Sequence, residues 1–220
     1  MTDRTIRITG KGNISVQPDT VRLLITQSEM FREYTKALEE SAKKKAFLTE
    51  AIEALGFLKS DLKTLRLDIT DVYESYQDTH GKWKKRFVGY EYNHRMKLEF
   101  ARNNELLGRV LYALAHCQGK PQLDLCFTVS DPEKAKNELL GKAIEDARIK
   151  AEVLTKAAGV ALGEIQIIDY SWGEIQLVTQ SLGTKFCESV PYEKADAYEL
   201  DLEPDDIDAS ETVTVVWEIR

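Results

Sequence analysis

Apolar and polar residues alternate one for one at the start of this chain. Ile6, Ile8, Gly10, Gly12, Ile14 and Val16 share one parity, and Arg7, Thr9, Lys11, Asn13, Ser15 and Gln17 the other. Period two is how a half-buried strand reads. Pro18-Asp19 ends it, because proline fixes φ and lacks a donor while aspartate favours local turns. The parity then changes, and Val21, Leu23 and Ile25 predict a second strand, antiparallel to the first. From Phe31 to Leu55 the apolar period lengthens to three or four, a helical stripe closed by Gly56.

Ser60-Asp61 predicts a turn, and Leu65, Leu67 and Ile69 a third strand running towards Tyr73 or Tyr76. Asp78 to Lys82, with Gly81, reads as a hairpin tip. The returning strand puts Val88, Tyr90, Tyr92, His94, Met96, Leu98 and Phe100 on one face. Asn103 or Asn104 can cap a short helix bearing Leu107, Val110, Leu111 and Leu114. Leu123, Leu125, Phe127 and Val129 form another strand. Ser130-Asp131-Pro132-Glu133 opens a helix with a capping side chain, a first-turn proline and an acid at the positive dipole end. Its Ala143, Ala147 and Ala151 allow close packing, and Gly159 stops it. Ile165 and Ile167 begin a strand that Ile175 and Leu177 extend or follow. Gln180 to Ala209 loses regularity and reads as a solvated loop, and Val213, Val215, Trp217 and Ile219 form a last strand. A terminal strand this apolar must lie within a sheet, which makes the first and last strands candidate neighbours.

The expected fold is α+β: about seven strands, mostly in hairpin order, form a largely antiparallel sheet with about three helices on one face. Residues 1–220 read as a single domain, with sub-lobes 1–100 and 101–220 and a joint near Phe100–Asn103 as the alternative.

Composition narrows the function classes. With 220 residues, 43% hydrophobic, the chain can bury a core without staples. A net charge of -7 disfavours non-specific nucleic-acid and anionic-membrane binding. No apolar run has the length to span a bilayer. Cys117, Cys126 and Cys187 are too few and too scattered for a disulfide framework, which suits a reducing compartment. The opening Met-Thr-Asp-Arg has no apolar leader region, so a cytoplasmic location is expected, or a periplasmic one if Met1 is not the natural start.

Candidate chemistry is sparse. Lys82, Trp83, Lys84, Lys85 and Arg86 could contact phosphate and stack on a base, but a solvated hairpin tip is the simpler reading. His94, beside Tyr92 and Met96, reads first as a packed core histidine. His80, His116 and the cysteines lack zinc spacing. The acids from Glu199 to Asp208 could hold calcium weakly but lack the EF-hand glycine pattern. Gly10-Lys11-Gly12 is no phosphate loop, because it does not lead into a helix. Its glycines are expected to admit another backbone or helix closely. No Gly-x-Ser-x-Gly occurs. No catalytic, cofactor-binding or metal-binding residue is assigned, and no cofactor is expected.

Three motifs in order carry a family resemblance: Gly10-x-Gly12 with Ile14, Val16 and Pro18-Asp19; Gly89-Tyr90 after the tyrosine-bearing hairpin; and Val129-Ser130-Asp131-Pro132 through Ala143, Ala147, Lys150-Ala151 and Leu154 to Gly159-Val160, Leu162-Gly163 and Ile165. Their order and spacing resemble the SIMPL domain, also called domain of unknown function 541, and the resemblance covers the chain from about Ile6 to Ile219. Its members include periplasmic YggE-type proteins and a Brucella immunogenic protein. Many members carry a signal peptide and a shorter acidic insert than this chain. The resemblance implies an α+β fold that self-associates, in some members into rings, with roles in oxidative-stress tolerance and partner binding. It supplies no catalytic residues. The expected function is therefore a non-enzymatic, self-associating and partner-binding protein, a homo-oligomer without a membrane span. The alternatives are an anion or nucleic-acid binder using Lys82–Arg86, and a small-ligand carrier or enzyme using Tyr92, His94 and Trp172.

Overall fold

The computed structural model describes residues 4–170, 177–179 and 201–220. Among them are β1 (Thr5–Val16), β2 (Thr20–Phe31), α1 (Tyr34–Glu53), a 3-10 turn (Lys59–Asp61), β3 (Lys63–Gln77), β4 (Trp83–Ala101), α2 (Asn104–His116), β5 (Gln122–Thr128), α3 (Pro132–Ala158), β6 (Leu162–Asp169) and β7 (Ile207–Ile219). The α+β expectation holds. The strands form two sheets, and two compact units carry them.

The first unit comprises described residues from 4–19, 128–179 and 204–220. Its three-stranded sheet runs β1-β7-β6. β1 and β7 pair antiparallel in unbroken register from Thr5↔Glu218 to Val16↔Ile207, so the first and last strands are neighbours. α3 packs on this sheet through Ala135, Leu139, Ala143, Ala147, Ala151 and Thr155, a buried stripe at spacing four. A Cβ on Gly10 would strike the Ala143 carbonyl and the Ala147 side chain, and one on Gly12 the Leu139 carbonyl. Glycine on the strand and alanine on the helix thus set the approach distance together. The contact is close enough for the Lys11 backbone N–H to donate to Asp146 Oδ2 at 2.7 Å. α3 starts as expected, with Asp131 Oδ1 accepting from the Lys134 N–H at 2.9 Å and Pro132 in the first turn. It ends at Gly159, whose φ of 69° is left-handed.

The second unit comprises residues 20–127 and 201–203 of those described. Its sheet runs β3-β4-β2-β5. Val21, Leu23 and Ile25 of β2, Met96 and Leu98 of β4, and Leu125 and Phe127 of β5 form one core with Leu48 and Ile52 of α1 and Leu107, Val110, Leu111 and Leu114 of α2. Asn103 caps α2, its Oδ1 accepting from the Leu106 N–H at 2.9 Å.

Three expectations are corrected. β2 does not pair with β1: it lies between β4 and β5 in the other sheet. The inner face of β1 has glycines for a close helix, whereas that of β2 has bulky aliphatics for a thicker core. Hairpin order is limited to β3–β4 and β6–β7. β7 begins at Ile207, so Ile207 to Ala209 belong to a strand rather than a loop, paired with Ile14 to Val16. The expected strand at Leu65 and Leu67 is β3, an edge strand on which both side chains are exposed.

Candidate interaction surface

β3 and β4 are long, with 15 and 19 residues, and they outrun β2. The β2–β4 register stops at Phe31↔Tyr90, while β3–β4 pairing continues to Gln77↔Trp83. Val72 to Val88 is therefore a two-stranded arm. Such a ribbon is marginal alone in water. Its pairing steps from Val72↔Gly89 to Tyr73↔Phe87, which leaves Val88 as an extra residue. A bulge of this kind re-aims the side chains beyond it. Phe87 thereby joins Tyr90, at a centroid distance of 5.1 Å, and Tyr73, at 5.6 Å. Tyr34 at the start of α1 stands edge-on to Tyr90 at 5.6 Å. The resulting row Tyr34–Tyr90–Phe87–Tyr73 is edge-to-face throughout, and each such pair adds about 0.5–1.5 kcal/mol beyond area burial. Tyr34, Tyr73 and Phe87 remain exposed.

The arm's tip is closed by Asp78. Its carboxylate pairs with Lys84 Nζ at 3.0 Å and accepts from the backbone N–H of Lys82 at 3.0 Å and of His80 at 2.9 Å. Lys84 first, then the two N–H groups, hold the Asp78 carboxyl below the usual range. Arg86 pairs with Glu74 and lies over the Tyr76 ring, 5.9 Å from its centroid. Two cations of the basic cluster are thus engaged within the arm. Trp83 is 70% exposed beside Lys82 and Lys85.

The surface continues along β3. Leu65 sits at a second register shift, between Thr64 and Arg66, and is 51% exposed. Leu67 and Tyr73 are exposed on the same strand, whose outer backbone edge has no neighbouring strand among the described residues. In the first unit β6 is likewise an edge strand, with Ile165, Ile167 and Ile168 each about half exposed. Alternation marked both as strands but carried no signal of their edge position.

The remaining candidates are packed or dispersed. Tyr92 and His94 do come together, in the core rather than in a cleft. His94 Nδ1 lies 3.2 Å from Ser41 Oγ and Nε2 3.0 Å from Thr64 Oγ1, which also accepts from Lys45 Nζ at 3.2 Å. Burial, then Lys45, pushes the imidazole pKa down. Burial raises the Tyr92 phenol against the pull of Lys44, and Gln27 Oε1 is buried without a hydrogen-bond partner among the described residues. Their third suggested partner, Trp172, lies outside the described residues, as do Ile175, Cys187 and Glu199. His80 stays at the tip, and His116 stacks on Tyr112 at 4.1 Å. Cys117 Sγ donates to the Leu114 carbonyl at 3.1 Å, and burial pushes both the Cys117 and Cys126 thiols up, away from thiolate reactivity. Asp208 accepts from Ser15 Oγ at 2.7 Å, and no group of three His, Cys, Asp or Glu among the described residues could hold a metal. No helix among them is long and apolar enough to cross a membrane.

Comparison with known proteins gives two findings. The model of the SIMPL family, described as a protein of unknown function (DUF541), matches residues 6–217. The 26 kDa periplasmic immunogenic proteins of Brucella abortus (strain S19) and Brucella melitensis biotype 1 are each 26% identical over 163 residues, 73% of this chain. The chain spans 64% of the length of these relatives.

Proposed function

Because the chain belongs to the SIMPL family, whose function is unknown, we propose that it is a non-enzymatic protein that associates with copies of itself and with partners through its open strand edges. The observation that carries this is β3, an edge strand with Leu65, Leu67 and Tyr73 exposed. Natural edges are usually blunted by charge, proline or brevity, and long apolar ones recruit another strand. β6 offers a second such edge on the same chain. Against an enzymatic role, both ring nitrogens of His94 are engaged by hydroxyls and the described thiols are not activated.

Light scattering coupled to size exclusion tests the proposal. The native chain, 25.0 kDa as a monomer, is expected to elute as a larger species. Leu65→Lys with Leu67→Lys is expected to return it to the monomer. A native chain that stays monomeric at tens of micromolar overturns the proposal.

Anion or nucleic-acid binding at Lys82–Arg86 is the second reading, favoured by exposed Trp83 and opposed by the internal pairing of Lys84 and Arg86. It requires binding that weakens steeply with salt and is lost on charge reversal at Lys84 and Lys85. A part in stress tolerance rests on the family resemblance, and peroxide survival of cells lacking the protein checks it. For location, the free thiols of Cys117 and Cys126 support the cytoplasm, while the relatives' names speak for the periplasm. Cell fractionation decides between them.

A further inference from the structure

We infer that His94 is an acid-sensitive latch, and that its protonation releases the first half of α1 from β3 and β4. This stands independently of self-association. The imidazole, 4% exposed, joins three elements: its own strand β4, α1 through Ser41, and β3 through Thr64. Thr64 Oγ1 is shared, because Lys45 Nζ of α1 donates to it at 3.2 Å.

With a neutral ring the network closes. Lys45 donates to Thr64 Oγ1, the Thr64 hydroxyl donates to Nε2, and Nδ1–H donates to Ser41 Oγ. With a protonated ring both nitrogens donate. Thr64 Oγ1 must then accept from imidazolium and ammonium together, and its own proton must turn from Nε2 to solvent. Two cations meet at one hydroxyl oxygen, beside a buried ring.

No carboxylate among the described residues acts on the ring. α1 brings Lys45 and Lys44, and β2 brings neutral Gln27 opposite the ring and Glu29, which Lys44 already engages. β3 brings uncharged Thr64 and Leu67, and β4 brings Tyr92, on which Glu29, Glu40 and Lys44 act. Lys45 bears on the imidazole, with the same sign as the charge it would gain.

The first half of α1 is also the half that can yield. Its buried residues are the small Ala37 and Ser41, whereas Leu48, Thr49 and Ile52 hold the second half. The helix start has no side-chain cap. The sign follows from the buried ring: its folded pKa is depressed, so the latch is intact above the ordinary value of about 6.5 and fails as pH falls through the lower folded value.

Amide hydrogen exchange of the full chain, alongside NMR titration of the His94 ring, tests this. Corrected for intrinsic rates, protection from residue 37 to residue 45 should fall about tenfold per pH unit between about 6.5 and the His94 midpoint. In His94→Gln that dependence should vanish. In Lys45→Met, which leaves one cation at the hydroxyl, the His94 midpoint should rise and the acid loss of protection should shrink. Protection that stays level while His94 titrates overturns the latch. So does an unchanged midpoint in Lys45→Met, or a loss that spreads equally through β2 and β4.

Discussion

Single residues decide how closely the helix of the first unit can lie on its sheet. Gly10→Ala puts a methyl group into the Ala143 carbonyl and Ala147, backbone and short side chain that cannot swing aside. Overpacking usually costs about 1–3 kcal/mol, and a rigid neighbour puts this case at the upper end. A lowered urea midpoint at unchanged m value is the expected result. Gly81→Ala meets open space but keeps a φ of 76°, so its cost is only the left-handed strain of about 1 kcal/mol. Gly10 and Gly12 were legible as buried positions from parity alone, and the alanine stripe of α3 as a close-packing face. That the two face each other was not legible, because periodicity names a face and not its partner. His94 was legible as a packed histidine. Its hydroxyl partners, Ser41 and Thr64, lie 53 and 30 positions away and gave no signal.

Elements show which regularities survive folding. α3 was readable at both ends because capping is local: Asp131, Pro132 and Gly159 act on their own helix. Asp131→Ala should cost about 1 kcal/mol, checked by the thermal midpoint. β3 was readable as a strand but not as an edge strand. Alternation reports that one face is apolar, and only neighbours on both sides and a covering layer bury it. The arm was the least legible part, because Trp83 to Val88 has no period and a bulge leaves no mark in sequence. Deleting Val88 should restore regular pairing, turn Phe87 away from Tyr90 and Tyr73, and weaken the near-UV circular dichroism of the ring row. Retention of that signal would mean that the bulge does not set the row.

At the scale of the molecule, strand patterns do not say which sheet a strand joins. β1 and β2 are separated only by Gln17, Pro18 and Asp19, yet they enter different sheets. The centre of the first sheet is β7, with β1 and β6 on either side. A chain ending before Ile207 should therefore lose the first unit while α1, α2 and β2–β5 keep their hydrogen-exchange protection. Uniform loss of protection would show instead that neither unit stands without the other.

The pairing of β1 with β7 also sets a schedule for biosynthesis. Thr9 and Thr214 hydrogen-bond across 205 positions, so β1 leaves the ribosome long before its partner β7. Residues 20–127 are complete well before then and can fold while translation proceeds. Until β7 emerges, β1 is a strand without its partner and with isoleucines on one face, the kind of segment that holdase chaperones shield. Slowing elongation between β5 and β7 should lengthen the time that β1 stays open to them.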